Sequence, residues 1–149
     1  MNFAVRLFVR VRLPSDPAAL PAGLYSVSAT ILDPDGDVRT TNEIALAVSA
    51  ELVAIAPSPA PRDGTGAVTL TATVRPRVLP AQSASLLLGA REVRAQPHPA
   101  ATTTLTFVVR PAAPGEHWLR LRIDGVDSPL VDRTVQPPVF DPSQRITIT

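Results

Sequence analysis

The chain has 149 residues, a formal net charge of +1, 45% apolar residues and no Cys. That length suits one generous domain or two small ones, and the missing thiols exclude disulfides and thiolate metal sites. The near-neutral balance excludes a basic nucleic-acid binder, although every one of the fourteen basic residues is Arg, a bias that fits codon usage in a GC-rich genome.

Phe3, Val5, Leu7, Val9, Val11 and Leu13 share one face of a period-two pattern, and Arg6, Arg10 and Arg12 share the other. The pattern predicts a long strand with one buried side and one wet side. These arginines interrupt any apolar leader, and no apolar run approaches the roughly eighteen residues of a membrane-spanning helix. The expectation is a cytoplasmic protein with no membrane partner. Pro14, Asp16, Pro17 and Pro21 mark a loop. From Gly23 to Leu32, Tyr25, Val27, Ala29 and Ile31 alternate with Leu24, Ser26, Ser28 and Thr30. After Asp33-Pro34-Asp35-Gly36-Asp37 a further strand runs from Val38 to about Val48, so the pair predicts an antiparallel hairpin with Tyr25 in the core. The acidic turn shares alternating carboxylates and a Gly with calcium loops, but the twelfth position is Ile44 and the flanks are strands, which favours an ordinary hairpin turn.

Leu52, Val53 and Ile55 predict a short strand, followed by a corner stiffened by Pro57, Pro59 and Pro61. Asp63-Gly64-Thr65-Gly66 is a turn. Val68, Leu70, Ala72 and Val74 then alternate with Thr69, Thr71 and Thr73. Further strands are expected at Ser83 to Leu88, around Leu105, Phe107 and Val109, at His117 to Asp124, and at Arg145 to Thr149. Short strands separated by turn chemistry, with proline between them, predict an all-β sandwich or barrel and no long helix. A boundary near residues 49–51 divides the chain. Residues 51–149, with six or seven expected strands, match an immunoglobulin-like sandwich in size. Residues 1–50 offer three strands, a partial second sandwich whose apolar face needs cover from elsewhere.

No constellation carries catalysis, a cofactor or a metal. His98 and His117 have no Cys or carboxylate at ligand spacing, no Gly-x-Ser-x-Gly elbow is present, and Gly64-Thr65-Gly66 leads into a strand rather than a helix that could cradle phosphate. The candidate contact residues are the row Arg6, Arg10 and Arg12 and the face Trp118, Arg120 and Arg122, read as a solvated face or a protein contact. Without interleaved aromatics for base stacking, nucleic acid is the weaker option. The strand Phe3–Leu13 could also pair at the edge of a neighbour's sheet.

Leu86-Leu87-Leu88-Gly89, Leu105-Thr106-Phe107, the run from Gly115 through Arg120 and Asp124-Gly125-Val126-Asp127-Ser128-Pro129-Leu130-Val131, and Pro138 to Thr149 stand in an order that resembles the C-terminal immunoglobulin-like region of tail-cap (tube-terminator) proteins of extracellular contractile injection systems. Arg10 to Pro14, Leu20 to Ile31 and Thr40 to Leu46 look like the segment preceding that module. A more distant likeness is to the TIG-type immunoglobulin fold. The resemblance implies a subunit that closes the end of tube and sheath, as a sixfold ring, and it carries no catalytic residue. The family's N-terminal domain, expected to hold tube and sheath, has no counterpart here, so a fragment, a split-gene product or a stand-alone relative is expected.

The leading expectation is thus a non-enzymatic structural subunit or accessory domain of a phage-tail-like particle. Its partners would be tube, sheath or cap subunits, and it would be a homo-oligomer or part of a larger complex. The alternative is a carbohydrate- or surface-binding immunoglobulin-like module, for which Trp118 is the one available aromatic platform.

Overall fold

The computed structural model describes Arg12, residues 19–32 and residues 34–149. The expected strand Phe3–Leu13 therefore lies outside the described residues, apart from an exposed Arg12. The expected hairpin is present in two pieces. Strands β1 (Gly23–Val27) and β4 (Ile44–Val48) pair antiparallel, as do β2 (Thr30–Leu32) and β3 (Val38–Thr40). At the break between them the Thr41 N–H donates to the Ala29 carbonyl (2.9 Å), and the Ala29 N–H donates to Thr41 Oγ1 (3.0 Å). A side-chain oxygen thus replaces a ladder acceptor.

Two sheets follow. The first holds β5 (Glu51–Ala56), β6 (Val68–Val78) and β9 (Thr102–Val109) in the order β5-β6-β9. The second holds β7 (Ala84–Leu88), β8 (Arg91–Arg94), β10 (Gly115–Ile123) and β11 (Val126–Asp127) in the order β11-β10-β7-β8, with β14 (Arg145–Ile148) on the first half of β10. Alternation along the strands sends Leu70, Val74, Leu105 and Phe107 from one sheet, and Leu86, Leu119, Leu121, Ile146 and Ile148 from the other, into one buried cluster. The protein is all-β, with two antiparallel sheets enclosing a shared core.

The chain crosses between sheets near Ala60. Its N–H donates to the Thr147 carbonyl (2.8 Å) and its own carbonyl accepts from the Thr149 N–H (2.9 Å), a parallel bridge from the segment after β5 to the last strand. In the turn before β6, Asp63 Oδ1 accepts from the Thr65 N–H, the Thr65 hydroxyl and the Ala67 N–H, while Gly66 takes a φ of 74° that side chains resist. Between β10 and β11 both Asp124 (φ 46°) and Gly125 (φ 83°) are left-handed, as a two-residue type I′ hairpin demands.

Several expectations need correction. Residues 51–149 hold more than the expected six or seven strands, because β8, β11 and the small ribbon of β12 (Val131–Asp132) and β13 (Val139–Phe140) join the larger ones. Ser83 stands outside β7, and β6 continues through Pro76 to Val78. A 3-10 turn at Pro142–Gln144 is capped by Asp141 Oδ1. Tyr25 is half-buried rather than core, its hydroxyl donating to the Pro21 carbonyl at 2.7 Å. Among the described residues no helix is long and apolar enough to cross a membrane.

Candidate functional site

The outward face of the second sheet brings together half of the expected contact residues. Along β10 the side chains alternate, so that Leu119, Leu121 and Ile123 enter the core while Trp118, Arg120 and Arg122 point out. The turn at Asp124-Gly125 folds β11 back so that Asp127 stands opposite Arg122. Its carboxylate takes a forked pair from Arg122, Nε to Oδ1 at 2.6 Å and Nη2 to Oδ2 at 3.2 Å, plus Arg120 Nη1 to Oδ2 at 2.9 Å. Arg122 Nη1 also reaches Glu92 Oε2 on β8 at 3.1 Å. Leu87 and Ser85, on the same outward face, are nevertheless buried. Their cross-strand neighbours Arg120, Glu92, Arg122 and Arg94 are long enough to cover them with their stems.

Arg120 and Arg122 are therefore tied within the fold, and neither is a freely presented cation. The hydrogen bond from Arg122 is the main cause holding the Asp127 carboxyl below its usual value. Partial burial opposes it, and the charges of Arg122 and Arg120 assist it. A carboxylate that ionises more readily folded than unfolded contributes stability above its ordinary value of 3.8 and loses it as pH falls through the lower folded value. Asp127→Asn is expected to cost about 1 kcal/mol at neutral pH, since the pairs are half-exposed, and the difference should shrink as pH falls from the ordinary carboxylate value of 3.8 through the lowered folded value. Urea titrations of both proteins across that range measure it, and a pH-independent difference would contradict the account.

Trp118 belongs to a second cluster. Its ring meets Phe140 of β13 at 5.2 Å between centroids with a 56° tilt, and the Arg145 guanidinium carbon lies 5.9 Å from its centroid. Arg145 in turn reaches Glu116 at 3.3 Å. A half-buried indole with neighbours of this kind is not an open flat platform for a sugar ring. Phe140, Arg145, Glu92 and Asp127 were not among the expected contact residues. Of the arginine row, Arg12 is exposed, and Arg6 and Arg10 lie outside the described residues.

A different surface stands out at the hairpin. Val27 and Ile44 face each other across β1 and β4 on the side that also carries Tyr25, Leu46 and Val48. Burial fades along this face, from half-buried Leu46 and Val48 to Ile44 at 63% exposure. At the far end Leu32 and Val38 pair at 70% and 64% exposure. The root of the hairpin is fixed, because Gln82 Nε2 donates to the Ala22 carbonyl (2.7 Å) and to Asp124 Oδ2 (2.8 Å), and Asp124 Oδ1 accepts from the Ser83 N–H.

Among the described residues no cluster of three or more His, Asp or Glu could hold a metal ion. His98 Nδ1 and His117 Nε2 each contact a nearby backbone carbonyl. No curated protein matches the chain. A family model described as "Domain of unknown function (DUF8756)" matches residues 43–149, which takes in β4 and every strand of both sheets. The chain belongs to that family.

Proposed function

We propose that the chain is a non-enzymatic structural subunit, or an accessory domain of one, in a contractile injection particle, and that it resembles part of the tail cap that terminates tube and sheath. The observation that carries the docking half of this reading is the apolar far end of the hairpin, where Val27, Ile44, Leu32 and Val38 stand in solvent. A two-stranded ribbon is marginal in water, and two exposed apolar cross-strand pairs on one small element, Val27 with Ile44 and Leu32 with Val38, on either side of the Thr30–Thr40 pair, mark an interaction surface more often than singly scattered apolar residues do. Seating that face on a tube, sheath or cap subunit buries it and stiffens the ribbon together. The protein then works inside the cell as part of an assembled particle, without a cofactor.

Within the same proposal, residues 51–149 are an immunoglobulin-like module of the TIG type. The parallel bridge between Ala60 and Ile148 supports this, since it lets the first strand serve one sheet and then the other. The particle half rests on the motif order from Leu86 to Thr149 described above.

Particles purified on a density gradient are expected to contain the chain, and a gold-labelled antibody against it is expected at one end of the tube. Val27→Glu combined with Ile44→Glu should reduce its share in the particles by about tenfold or more, because a docked carboxylate loses its water without gaining a partner. Particles free of the chain, with all of it at the top of the gradient, would sink the reading.

A further inference from the structure

Gln144 is only 3% exposed, and its side chain ties the 3-10 turn to the first sheet. The amide nitrogen donates to the Leu52 carbonyl of β5 at 2.9 Å and to Ser143 Oγ at 3.3 Å. Those bonds fix the direction of the amide, because the reverse orientation would set its oxygen against the Leu52 carbonyl. Gln144 Oε1 is left buried with no donor on it. Buried acceptors of this kind are rare in folded proteins, and each is unfavourable until something supplies the missing N–H or O–H.

The same residue lines a cavity of about 210 Å³. One wall is β5, which is bulged between Leu52 and Ala54, so that Val53 has no facing residue on β6. Bulges commonly sit beside binding sites, where they re-aim a strand. The other wall is the 3-10 turn, held by the Ser143 N–H donating to Asp141 Oδ1 (2.9 Å) and the Gln144 N–H donating to the Asp141 carbonyl (3.0 Å).

The lining is rich in acceptors. Glu51 and Asp141 bring carboxylates, Ser49 and Ser143 bring hydroxyls, and Val53 and Pro129 add apolar wall, while among the described residues no Arg or His lines the space. Glu51 has Arg75 at 3.7 Å, but both side chains are more than half exposed, a loose pair that a better-placed cation can replace. Among the described residues no group of three or more acidic or His side chains could hold a metal. An organic cation with several N–H donors fits better. Guanidinium carries five in a rigid planar fork, enough to reach a carboxylate and an amide oxygen together, and its aliphatic stem suits Val53 and Pro129.

We propose that this cavity binds a guanidinium group, whose N–H donors are shared between Gln144 Oε1 and the carboxylates of Glu51 and Asp141. Val53, unsupported by the ladder at the bulge, is the wall that shifts to let an N–H reach the enclosed oxygen. The site is built from β5, the 3-10 turn and Pro129, so it holds whether or not the particle assignment does.

NMR titration of the full chain with two probes tests it. N-acetyl-arginine methylamide imitates an arginine side chain in a polypeptide, and free arginine represents a small-molecule source. At least one is expected to bind with a dissociation constant of about 1 mM or lower, to shift the Gln144 side-chain amide signal, and to raise the thermal midpoint. Tighter binding of the blocked probe assigns the site to a partner polypeptide, and tighter binding of free arginine assigns it to a metabolite. Glu51→Gln with Asp141→Asn should weaken binding at least about tenfold, and the fold should be kept because Asn caps a turn as Asp does. Gln144→Met should abolish the ligand-induced rise in the midpoint, and the carboxylate variant carries the test alone if that chain does not fold. No binding of either probe up to about 10 mM overturns the proposal. Equal binding of N-acetyl-lysine methylamide, calcium binding in place of guanidinium, or undiminished binding by the carboxylate variant overturns it too.

Discussion

Phe107→Ala is expected to lower the unfolding free energy by about 3–5 kcal/mol and the thermal midpoint by on the order of 10 °C. Phe107 is fully buried, and among the described residues it is the one aromatic side chain in the core. It pairs with Leu70 of β6 on one side and bridges Ala95 on the other, just where the chain passes from β8 in the second sheet to β9 in the first. The Gln96 N–H donates to the Thr106 carbonyl at 2.7 Å and the Ala95 N–H to the Ala84 carbonyl at 2.9 Å, so the backbone around the ring is pinned to both sheets. A pinned frame relaxes little into a cavity, and the nearby Ala72 and Ala95 are too short to fill it. Urea and thermal unfolding measure the effect. A loss below ~1 kcal/mol would mean that the sheets close over the gap and that their packing is softer than this geometry requires.

The same strands show why some of the architecture was legible in the sequence. In β6 and β9, Val68, Leu70, Ala72 and Val74 alternate with threonines, and Leu105, Phe107 and Val109 repeat the pattern, because one face is buried and the other wet. β10 alternates equally well, which placed Trp118, Arg120 and Arg122 together on one face. β8 escaped because Arg91-Glu92-Val93-Arg94 offers a single apolar residue, and its strand form depends on pairing with β7. β7 hides the reverse effect, since Ser85 and Leu87 are buried on the outward side by side chains from two other strands. The two-residue strands β11, β12 and β13 are too short to show any period.

The ties of the outer face lie further from what a linear reading reveals. Asp127 was within reach, because Asp124-Gly125 is a strong hairpin signal and a type I′ turn there sets Arg122 opposite Asp127. The Trp118, Phe140 and Arg145 cluster joins three strands across more than twenty residues, and no local pattern announces it. Local chemistry also fails at Tyr25. Its alternation is that of a core position, yet it sits on a ribbon whose buried face runs out toward solvent, so the ring is only half covered. Periodicity reports which residues share a face, and it does not report whether anything packs on that face.

Ala60→Asp is expected to cost about 3 kcal/mol or more at neutral pH, by placing an unpaired carboxylate where water cannot follow. Ala60 is completely buried although its neighbours Pro59 and Pro61 are exposed, because its backbone is clamped between the carbonyl of Thr147 and the N–H of Thr149 while its methyl group faces the core. The bridge is what lets the chain leave the first sheet and close the second. Burial would raise the pKa of the new carboxyl, so its neutral form is the tolerated one. The destabilisation should therefore be smallest at about pH 3, where the folded and unfolded carboxyls are both largely protonated, and should grow as pH rises above the ordinary carboxylate range of about 4. Ala60→Leu, which adds volume without charge, is expected to cost about 1–3 kcal/mol with no such pH slope. Equal slopes for the two variants would show that steric crowding, rather than a desolvated charge, governs the crossing.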